Sequence, residues 1–340
     1  FGLAGAAVSA ILTALAPNVI LLLGARALDG IQAAATGTAS GALINLAFRP
    51  DERAKAMGWW SLIGAGGPVL GVTIGAPIIA AYGWRALFGF QLILIVIAMV
   101  VVSTVLPRRR QSPEEELAAK TKARLEFKTM DWIGSWTLSL SVTALMLGLS
   151  FGGIVGWTSP LCMVSWSVAV VMRIRTAANP LIPAHYFKKR NFVMPMLVRA
   201  AANFAYFGGF FLFPILMEQG YGYSVGRVGA ISIARPLVFS IASPIAGYIA
   251  VRIGERVSAI AGMSFLTLSL GMFAMLQPST GAWVVVIALS LSGLGMGVAM
   301  PSSSAIMSHA VKENEFGVMS AAQMLAMQVG EVAGIQILVT

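Results

Sequence analysis

The sequence predicts an all-α protein that crosses a membrane many times, and two properties of the chain lead to this prediction. Of the 340 residues, 58% are hydrophobic and 11% are charged, whereas soluble domains are about 45–50% apolar and about 25% charged. The apolar residues also gather in long runs, and a helix needs about 20 of them to cross the hydrocarbon core of a bilayer. A chain this apolar can cover its outer surface only when lipid is the surrounding solvent.

Eleven stretches are long and apolar enough, or nearly so, to form membrane helices. They are residues 1–16, 18–47, 53–81, 85–106, 131–152, 157–175, 191–217, 225–251, 255–277, 281–309 and 315–340. The first stretch is short and the last has no loop after it, so we expect the chain to be truncated at both ends. Phe1 opens an apolar run without a basic stretch before it, which argues against a signal peptide.

The basic residues test this assignment, because cytoplasmic loops of membrane proteins are enriched in Lys and Arg. Alternate loops hold eighteen of the 23 Lys and Arg residues, while the opposite loops hold only Arg85 and Arg227. This distribution predicts that the first set, which includes the long charged loop 107–130, is cytoplasmic. It also explains the net charge of +10, so we expect no nucleic-acid partner.

An internal repeat divides the chain into two bundles. Residues 25–75 align without a gap on residues 288–338, with twelve identical positions. Parallel halves of this kind are typical of two-bundle transporters. The repeated segments lie eight helices apart, which predicts two extra helices between the bundles. The predicted domains are an incomplete N-terminal bundle at 1–106, a cytoplasmic linker at 107–130, two intervening helices at 131–175 and an incomplete C-terminal bundle at 176–340.

Arg26 and Asp29 are ionised residues inside the second apolar stretch, and Gln32 follows at the same spacing. Arg26 lies about 12 Å along this helix, where an unpaired Arg costs about 2.5–3.5 kcal/mol on insertion scales. Residues three apart share a helix face, so Asp29 can pair with Arg26 beside a polar cavity. We expect a proton or substrate site here, and the alternative is a buried structural ion pair.

The third stretch carries a glycine motif, which consists of Gly64, Gly67-Pro68-Val-Leu-Gly71 and Gly75. Glycines at four-residue intervals form a strip on which another helix can approach closely. Pro68 removes a backbone donor, so a bend is expected beside it. The strip is either a packing surface or a hinge whose packing changes during alternating access.

The C-terminal bundle supplies further candidates for a substrate cavity. They are polar or aromatic residues at membrane depth: Arg199, Asn203, Tyr206, Phe210, Arg235, Ser303 and Glu331. The first four fall on one helical stripe, which predicts a cavity wall for an amphipathic or cationic substrate, with lipid-facing aromatics as the alternative. A serine inside a helix can line the cavity or bond the backbone of its own helix.

No arrangement of residues in the sequence indicates an enzyme or a metal site. His185 and His309 have no ligating partners at a suitable spacing, and Cys162 is the single cysteine. The nucleophile, phosphate-binding and zinc motifs of common enzymes are absent from the sequence. We therefore expect no catalytic residue, no metal and no cofactor.

Several of these motifs resemble those of a known family. Arg26-Ala-Leu-Asp29-Gly30 resembles the fourth-helix motif of the major facilitator superfamily, and Gly67-Pro68-Val-Leu-Gly71 resembles the fifth-helix motif of its drug:proton antiporters. Asp131-Trp132-Ile-Gly134, Asn179-Pro180-Leu-Ile-Pro183 and the two extra helices resemble the fourteen-helix branch. The resemblance implies the major facilitator fold, with this chain covering helices three to thirteen of the fourteen.

The resemblance also implies a function. We expect a proton-coupled efflux transporter in the cell membrane, acting as a monomer on amphipathic drugs or related small molecules by alternating access. Asp29 stands where the family usually has Gln, and Glu331 replaces Pro68 in the repeat. The alternatives are a carrier of another small solute on the same fold and a non-transporting membrane sensor or scaffold. The identity of the substrate stays open.

Overall fold

The computed structural model describes residues 2–105, 132–156, 183–277 and 280–339, together with the isolated positions 121, 158–160 and 163. Every regular element within these residues is a helix. The all-α fold class expected from the composition is therefore confirmed.

Eleven α-helices follow one another along the described residues. They are α1 (Gly2–Ala14), α2 (Val19–Ala47), α3 (Arg53–Tyr82), α4 (Trp84–Val105), α5 (Trp132–Val155), α6 (Arg190–Ile215), α7 (Val225–Ser232), α8 (Ala234–Ile253), α9 (Glu255–Ala274), α10 (Ala282–Ser308) and α11 (Phe316–Val339). A π-helical turn, Leu216–Gly220, continues α6. Two short 3-10 helices, Ala184–Lys188 and Glu313–Glu315, precede α6 and α11.

These helices coincide with ten of the eleven stretches predicted from the sequence. The stretch 225–251 contains both α7 and α8, which only Ile233 separates. The stretch 157–175 lies outside the described residues apart from 158–160 and 163, and the loop 107–130 lies outside them apart from 121. The boundaries of the linker and of the two intervening helices therefore stay predictions.

The connection between α3 and α4 is a single residue, Gly83, with a φ of 79°. A positive φ of this size lies in the left-handed region, which glycine adopts without steric cost. Glycine at this position allows one long helix to end and the next to begin at once.

Seven helices in the described part of the chain are long and apolar enough to cross a membrane. They are Val19–Ala47, Trp84–Thr104, Arg190–Gly220, Gly226–Ile253, Glu255–Ala274, Ala282–Ser308 and Glu313–Leu338. Large apolar side chains on the outside, such as Ile20, Ile31 and Trp136, are 70–83% exposed. Lipid solvates such side chains, and helices satisfy their own backbone polar groups in lipid. The chain is therefore a multi-pass membrane protein.

The chain forms two compact units. Among the described residues, the first unit comprises 2–40 and 70–105, and the second comprises 41–69, 133–156 and 183–339. In the first unit, α1 packs against α4, and the Ser9 hydroxyl of α1 donates to the Ala25 carbonyl oxygen of α2 at 3.1 Å. Hydrogen bonds of this kind tie neighbouring membrane helices together.

The second unit is built around α10, which packs along both α8 and α9, while α11 packs along α6. Serines connect α9 to α10 at two levels. Ser269 donates to the Ala288 carbonyl oxygen at 2.7 Å, and Ser302 donates to the Ser258 hydroxyl at 2.9 Å. Small side chains allow this close approach, so α10 forms the centre of the unit.

Candidate functional site

The first candidate site lies on α2, in the first unit, and consists of three polar residues spaced three apart. The Arg26 NH2 atom lies 2.7 Å from Asp29 Oδ2, and Gln32 Nε2 donates to Asp29 Oδ1 at 3.0 Å. The spacing brings the side chains together on one helix face. Both oxygens of the Asp29 carboxylate therefore have a donor, one charged and one neutral.

Helices α1 and α4 supply the neighbours of this group. The Arg26 side chain is 46% exposed and the Asp29 side chain is 17% exposed. Arg26 Cζ lies 5.7 Å from the centre of the Phe88 ring on α4, close enough for a cation and an aromatic face to attract each other. A Cβ atom added to Gly5 of α1 would lie 3.1 Å from Gln32 Cβ. The carboxylate is thus shielded on the helix side and reachable from the arginine side.

A second group of polar residues lies inside the second unit, where α6, α10 and α11 meet. Arg199 of α6 is 5% exposed, and its NH1 atom donates to Ser304 Oγ at 3.0 Å and to Gln323 Oε1 at 2.9 Å. Asn203 Nδ2 donates to the Arg199 carbonyl oxygen at 2.8 Å. Within the described residues, no ion pair neutralises the Arg199 guanidinium.

A third group surrounds Arg235 of α8, whose side chain is 1% exposed. Its NH2 atom donates to Ser292 Oγ of α10 at 2.6 Å and to the Ala205 carbonyl oxygen of α6 at 3.3 Å. Its Cζ lies 4.2 Å from the centre of the Tyr206 ring. Nε and NH1 of Arg235 have no hydrogen-bond partner in the described part of the protein. A buried cation with only neutral partners is energetically expensive, and in membrane proteins such residues are usually functional.

The candidates predicted on one stripe of α6 differ in their surroundings. Arg199, Asn203 and Tyr206 are buried inside the second unit, so the alternative that they face lipid is wrong for these three. The Tyr206 ring packs edge-to-face on Phe239 of α8, with ring centres 5.7 Å apart. Phe210 is half-buried and packs on the next residue, outside the polar groups.

The two remaining cavity candidates do not join these groups. Ser303 donates to the Met300 carbonyl oxygen of its own helix at 2.9 Å, which is the alternative predicted for it, and the neighbouring Ser304 binds Arg199 instead. Glu331 is half-buried on α11 and has no ion-pair partner among the residues described. A functional role for either residue stays a prediction.

The glycine motif lies on α3, which continues without interruption from Arg53 to Tyr82. A Cβ atom added to Gly75 would lie 3.3 Å from Leu87 Cδ1 of α4. At Gly64, Gly67 and Gly71, no described atom of a neighbouring element lies within 4 Å of such a Cβ. The side chain of Pro68 is not among those that the structure describes. Close packing is therefore present at Gly75 and stays a prediction at the other positions.

Arg53 forms a contact in the second unit that was not predicted from the sequence. Arg53 is 5% exposed, and its Nε donates to the Asn45 carbonyl oxygen of α2 at 3.0 Å. Its NH2 atom lies 3.6 Å from Glu313 Oε1, and its Cζ lies 4.8 Å from the centre of the Phe316 ring. The repeat aligns Arg53 with Phe316, but alignment by a repeat does not indicate contact, so the sequence carries no signal for this interaction.

Helices α3 and α8 also touch directly near this end of the second unit. A Cβ atom added to Gly58 would lie 2.6 Å from the Ser243 carbonyl oxygen, and one added to Gly247 would lie 2.6 Å from the Ala54 carbonyl oxygen. Any larger residue would collide with the opposite backbone, so the glycines permit this approach. Arg53 forms its contacts at the same end of the second unit, where α3 begins.

Apolar helices of membrane-spanning length, with ionised residues buried between them, define a polytopic membrane protein. The sequence profile described as "Major Facilitator Superfamily" matches residues 1–335. The chain belongs to this family of transporters.

Three relatives are named for drug transport or antibiotic resistance. Multidrug resistance protein Stp of Mycobacterium tuberculosis is 26% identical over 331 residues, covering 95% of this chain and 59% of that protein. Multidrug transporter protein MdtP of Bacillus subtilis is 25% identical over 334 residues, covering 96% and 59%. Methylenomycin A resistance protein of Streptomyces coelicolor is 26% identical over 333 residues, covering 95% and 66%. The chain therefore spans less than two thirds of the length of these relatives.

Proposed function

We propose that this protein exports amphipathic small molecules in exchange for protons, by alternating access of a central cavity to the two sides of the membrane. The observation that carries the proposal is the Asp29 carboxylate, which Arg26 and Gln32 hold inside a membrane-spanning helix. Ionisable groups at such positions usually mark a proton or ion pathway. The names of the relatives, two of which are multidrug proteins, support the substrate class.

Coupling follows from the competition for this carboxylate. When Asp29 is protonated, the negative charge that holds Arg26 disappears, and the guanidinium keeps only its contact with Phe88. A cationic group on the substrate competes with the proton for the same oxygens. A ligand shifts a conformational equilibrium only through its different affinities for the two states. Because the proton and the substrate exclude each other, binding of one on one side releases the other.

The contacts of Arg53 and of the two glycines support a state closed at one end. We place this end in the cytoplasm, because the neighbouring loops carry most of the Lys and Arg residues. Glu313 is 77% exposed and lies 3.6 Å from Arg53, so this ion pair contributes about 0–1 kcal/mol. A contact this weak can break in every transport cycle. The proposal thus places the protein in the cell membrane, with loop 107–130 cytoplasmic.

Replacement of Asp29 by Asn tests the proposal. In the full-length protein reconstituted in liposomes, Asp29→Asn should lower proton-driven drug export by at least about tenfold, which corresponds to about 1.4 kcal/mol. Asn has nearly the same size and keeps a hydrogen bond to Arg26, but it cannot bind and release a proton. The measurement is drug efflux driven by an imposed pH gradient, together with the proton flux that the drug stimulates.

The matched control is Asp51→Asn. Asp51 also pairs with an arginine, Arg49, at 3.6 Å, but this pair is exposed in the loop between α2 and α3. We expect export by this variant to equal that of the wild type. Unchanged proton coupling in Asp29→Asn would exclude Asp29 as the coupling residue.

A further inference from the structure

A groove in the second unit belongs to none of the polar groups described above. It has a volume of about 550 Å³ and lies where the end of α2, the start of α3 and the end of α8 meet. Four of its nine lining residues are aromatic, namely Phe48, Trp59, Trp60 and Tyr248. One acid, Glu52, and one base, Lys55, line it as well.

The wall of the groove faces the outside of the unit. Phe48, Trp59 and Tyr248 are 44–52% exposed, although Phe48 directly follows one membrane-spanning helix and Tyr248 belongs to another. Trp and Tyr concentrate where acyl chains end and headgroups begin, because one part of the ring is apolar and the other forms hydrogen bonds. The exposed aromatic residues of this groove are of the type that suits headgroup depth, with their rings towards the acyl chains.

The two charged residues stand at one edge of this groove, three positions apart in the chain. Lys55 is half-buried, and its Nζ lies 5.5 Å from the centre of the Tyr248 ring. Glu52 is exposed and forms no ion pair with any residue that the structure describes. A cation beside an anion is complementary to a ligand that carries both charges close together.

We propose that this groove binds one phospholipid whose headgroup joins a phosphate to a primary ammonium, as in phosphatidylethanolamine. The Lys55 ammonium binds the phosphate, the Glu52 carboxylate accepts hydrogen bonds from the lipid ammonium, and the acyl chains lie along the aromatic wall. Charge-assisted hydrogen bonds of this type are stronger than neutral ones. Phosphatidylglycerol offers Glu52 only neutral hydroxyl donors, which form weaker hydrogen bonds than an ammonium does. The quaternary ammonium of phosphatidylcholine has no N–H to donate.

A lipid in this groove would influence the packing of α3 against α8. It contacts α3 through Trp59 and α8 through Tyr248, and these are the helices that meet at Gly58 and Gly247. A ligand that touches both helices binds more tightly when they are together, so it stabilises the closed arrangement. The link to transport rests on the proposed function, whereas lipid binding itself does not.

The test is lipid retention by the full-length protein. The protein is purified in detergent, mixed with phosphatidylethanolamine, phosphatidylcholine or phosphatidylglycerol of identical acyl chains, and examined by native mass spectrometry. We expect phosphatidylethanolamine to be retained at concentrations about tenfold lower than the other two lipids, a difference of about 1.4 kcal/mol. Lys55→Met and Glu52→Gln should each remove this preference. Lys188→Met, at an exposed lysine outside the groove, should leave it unchanged.

Several results would overturn the proposal. They are equal retention of the three lipids, a preference that survives both Lys55→Met and Glu52→Gln, and displacement of the groove's occupant by a transported drug but not by lipid. The test uses both Lys55→Met and Glu52→Gln, so it remains decisive if one of these variants does not fold. Because retention is measured without a pH gradient or drug, its failure is distinguishable from a failure of the export experiment at Asp29.

Discussion

Residues 25–75 and 288–338 are related by the internal repeat, yet they use one aligned position differently. The repeat aligns Asp29 with Ser292. Asp29 binds an arginine of its own helix at 2.7 Å, whereas Ser292 accepts a hydrogen bond at 2.6 Å from Arg235, which α8 supplies. The position contacts an arginine in both halves, but only the first half provides a partner that can lose its charge.

This difference separates two electrostatic roles. An arginine stays protonated at any pH that a protein survives, so its charge can be modulated only through its partner. In the first half the partner is a carboxylate that a proton neutralises. In the second half the partner of Arg235 is a hydroxyl, so the positive charge is permanent. Under the proposed function, the first half responds to protons and the second half holds a constant cationic centre.

The aligned glycines of the two repeated segments differ in how closely other helices pack against them. A Cβ atom on Gly330 or Gly334 would collide with a backbone carbonyl oxygen of α6, while Gly67 and Gly71 have no described neighbour within 4 Å. The same spacing thus supports close packing in the second half. In the first half it leaves a surface without close contacts in the described part.

The largest effect expected from this comparison follows Gly330→Ala. The added methyl group overlaps the Ala200 carbonyl oxygen, and overpacking of this kind costs about 1–3 kcal/mol. Gly67→Ala, at the aligned position, should cause no loss of stability and should raise it by up to about 1 kcal/mol, because alanine favours a helix over glycine. Thermal unfolding of the two purified variants, followed by tryptophan fluorescence, measures both effects. An equal loss in both variants would show that the two halves pack alike.

A smaller effect is expected from Ser292→Asp, which gives the second half the acid of the first. A hydrogen bond to a charged group contributes about 1.5–3 kcal/mol and a neutral one about 0.5–1.5 kcal/mol, so pairing with Arg235 should raise stability by about 1 kcal/mol. Export should fall, because the permanent positive charge is neutralised. The unfolding midpoint and the efflux rate test these two outcomes.

The control for this variant is Ser269→Asp. Ser269 is equally buried, but its hydroxyl donates to the Ala288 carbonyl oxygen instead of binding an arginine. A carboxylate there has no cation and should lower the unfolding midpoint. A lower midpoint in Ser292→Asp as well would contradict the view that Arg235 lacks a charged partner.

The smallest effect concerns Glu315, which the repeat aligns with Glu52. Glu315 accepts a hydrogen bond from the hydroxyl of Tyr186, which lies in the 3-10 helix Ala184–Lys188 outside the membrane-spanning helices. Burial raises the pKa of the Tyr186 phenol, and the bond to Glu315 raises it further. The folded-state pKa therefore lies above the ordinary value of about 10. The stabilisation by this phenol is complete below pH 10 and is lost as the pH rises through the higher folded-state value.

Tyr186→Phe should therefore lower stability by about 0.5 kcal/mol at neutral pH and weaken the loss of stability at alkaline pH. Unfolding midpoints between about pH 7 and 11 test this expectation. Glu315→Gln should also weaken the alkaline loss, while Glu52→Gln should leave it as in the wild type. A similar change in both glutamine variants would indicate that the two aligned glutamates are equivalent.

The positions of the helices and the pairing of Arg26 with Asp29 could be predicted from the sequence, because both depend only on the spacing of residues along one helix. The contact of Asp29 with its arginine is an example. The contacts of Arg53 and Arg235 could not, since they join helices distant in the chain. In lipid a helix is apolar on the side that faces acyl chains and on the side that packs, so no polar face reveals its rotation.

The single residue between α3 and α4 limits how these helices can move. Because Gly83 alone connects Tyr82 to Trp84, the connection has no spare length to absorb a displacement. A tilt at the end of α3 is therefore transmitted to the first turns of α4. Phe88, the ring beside Arg26, lies there. The distance between that ring and the guanidinium is thus mechanically linked to the orientation of α3.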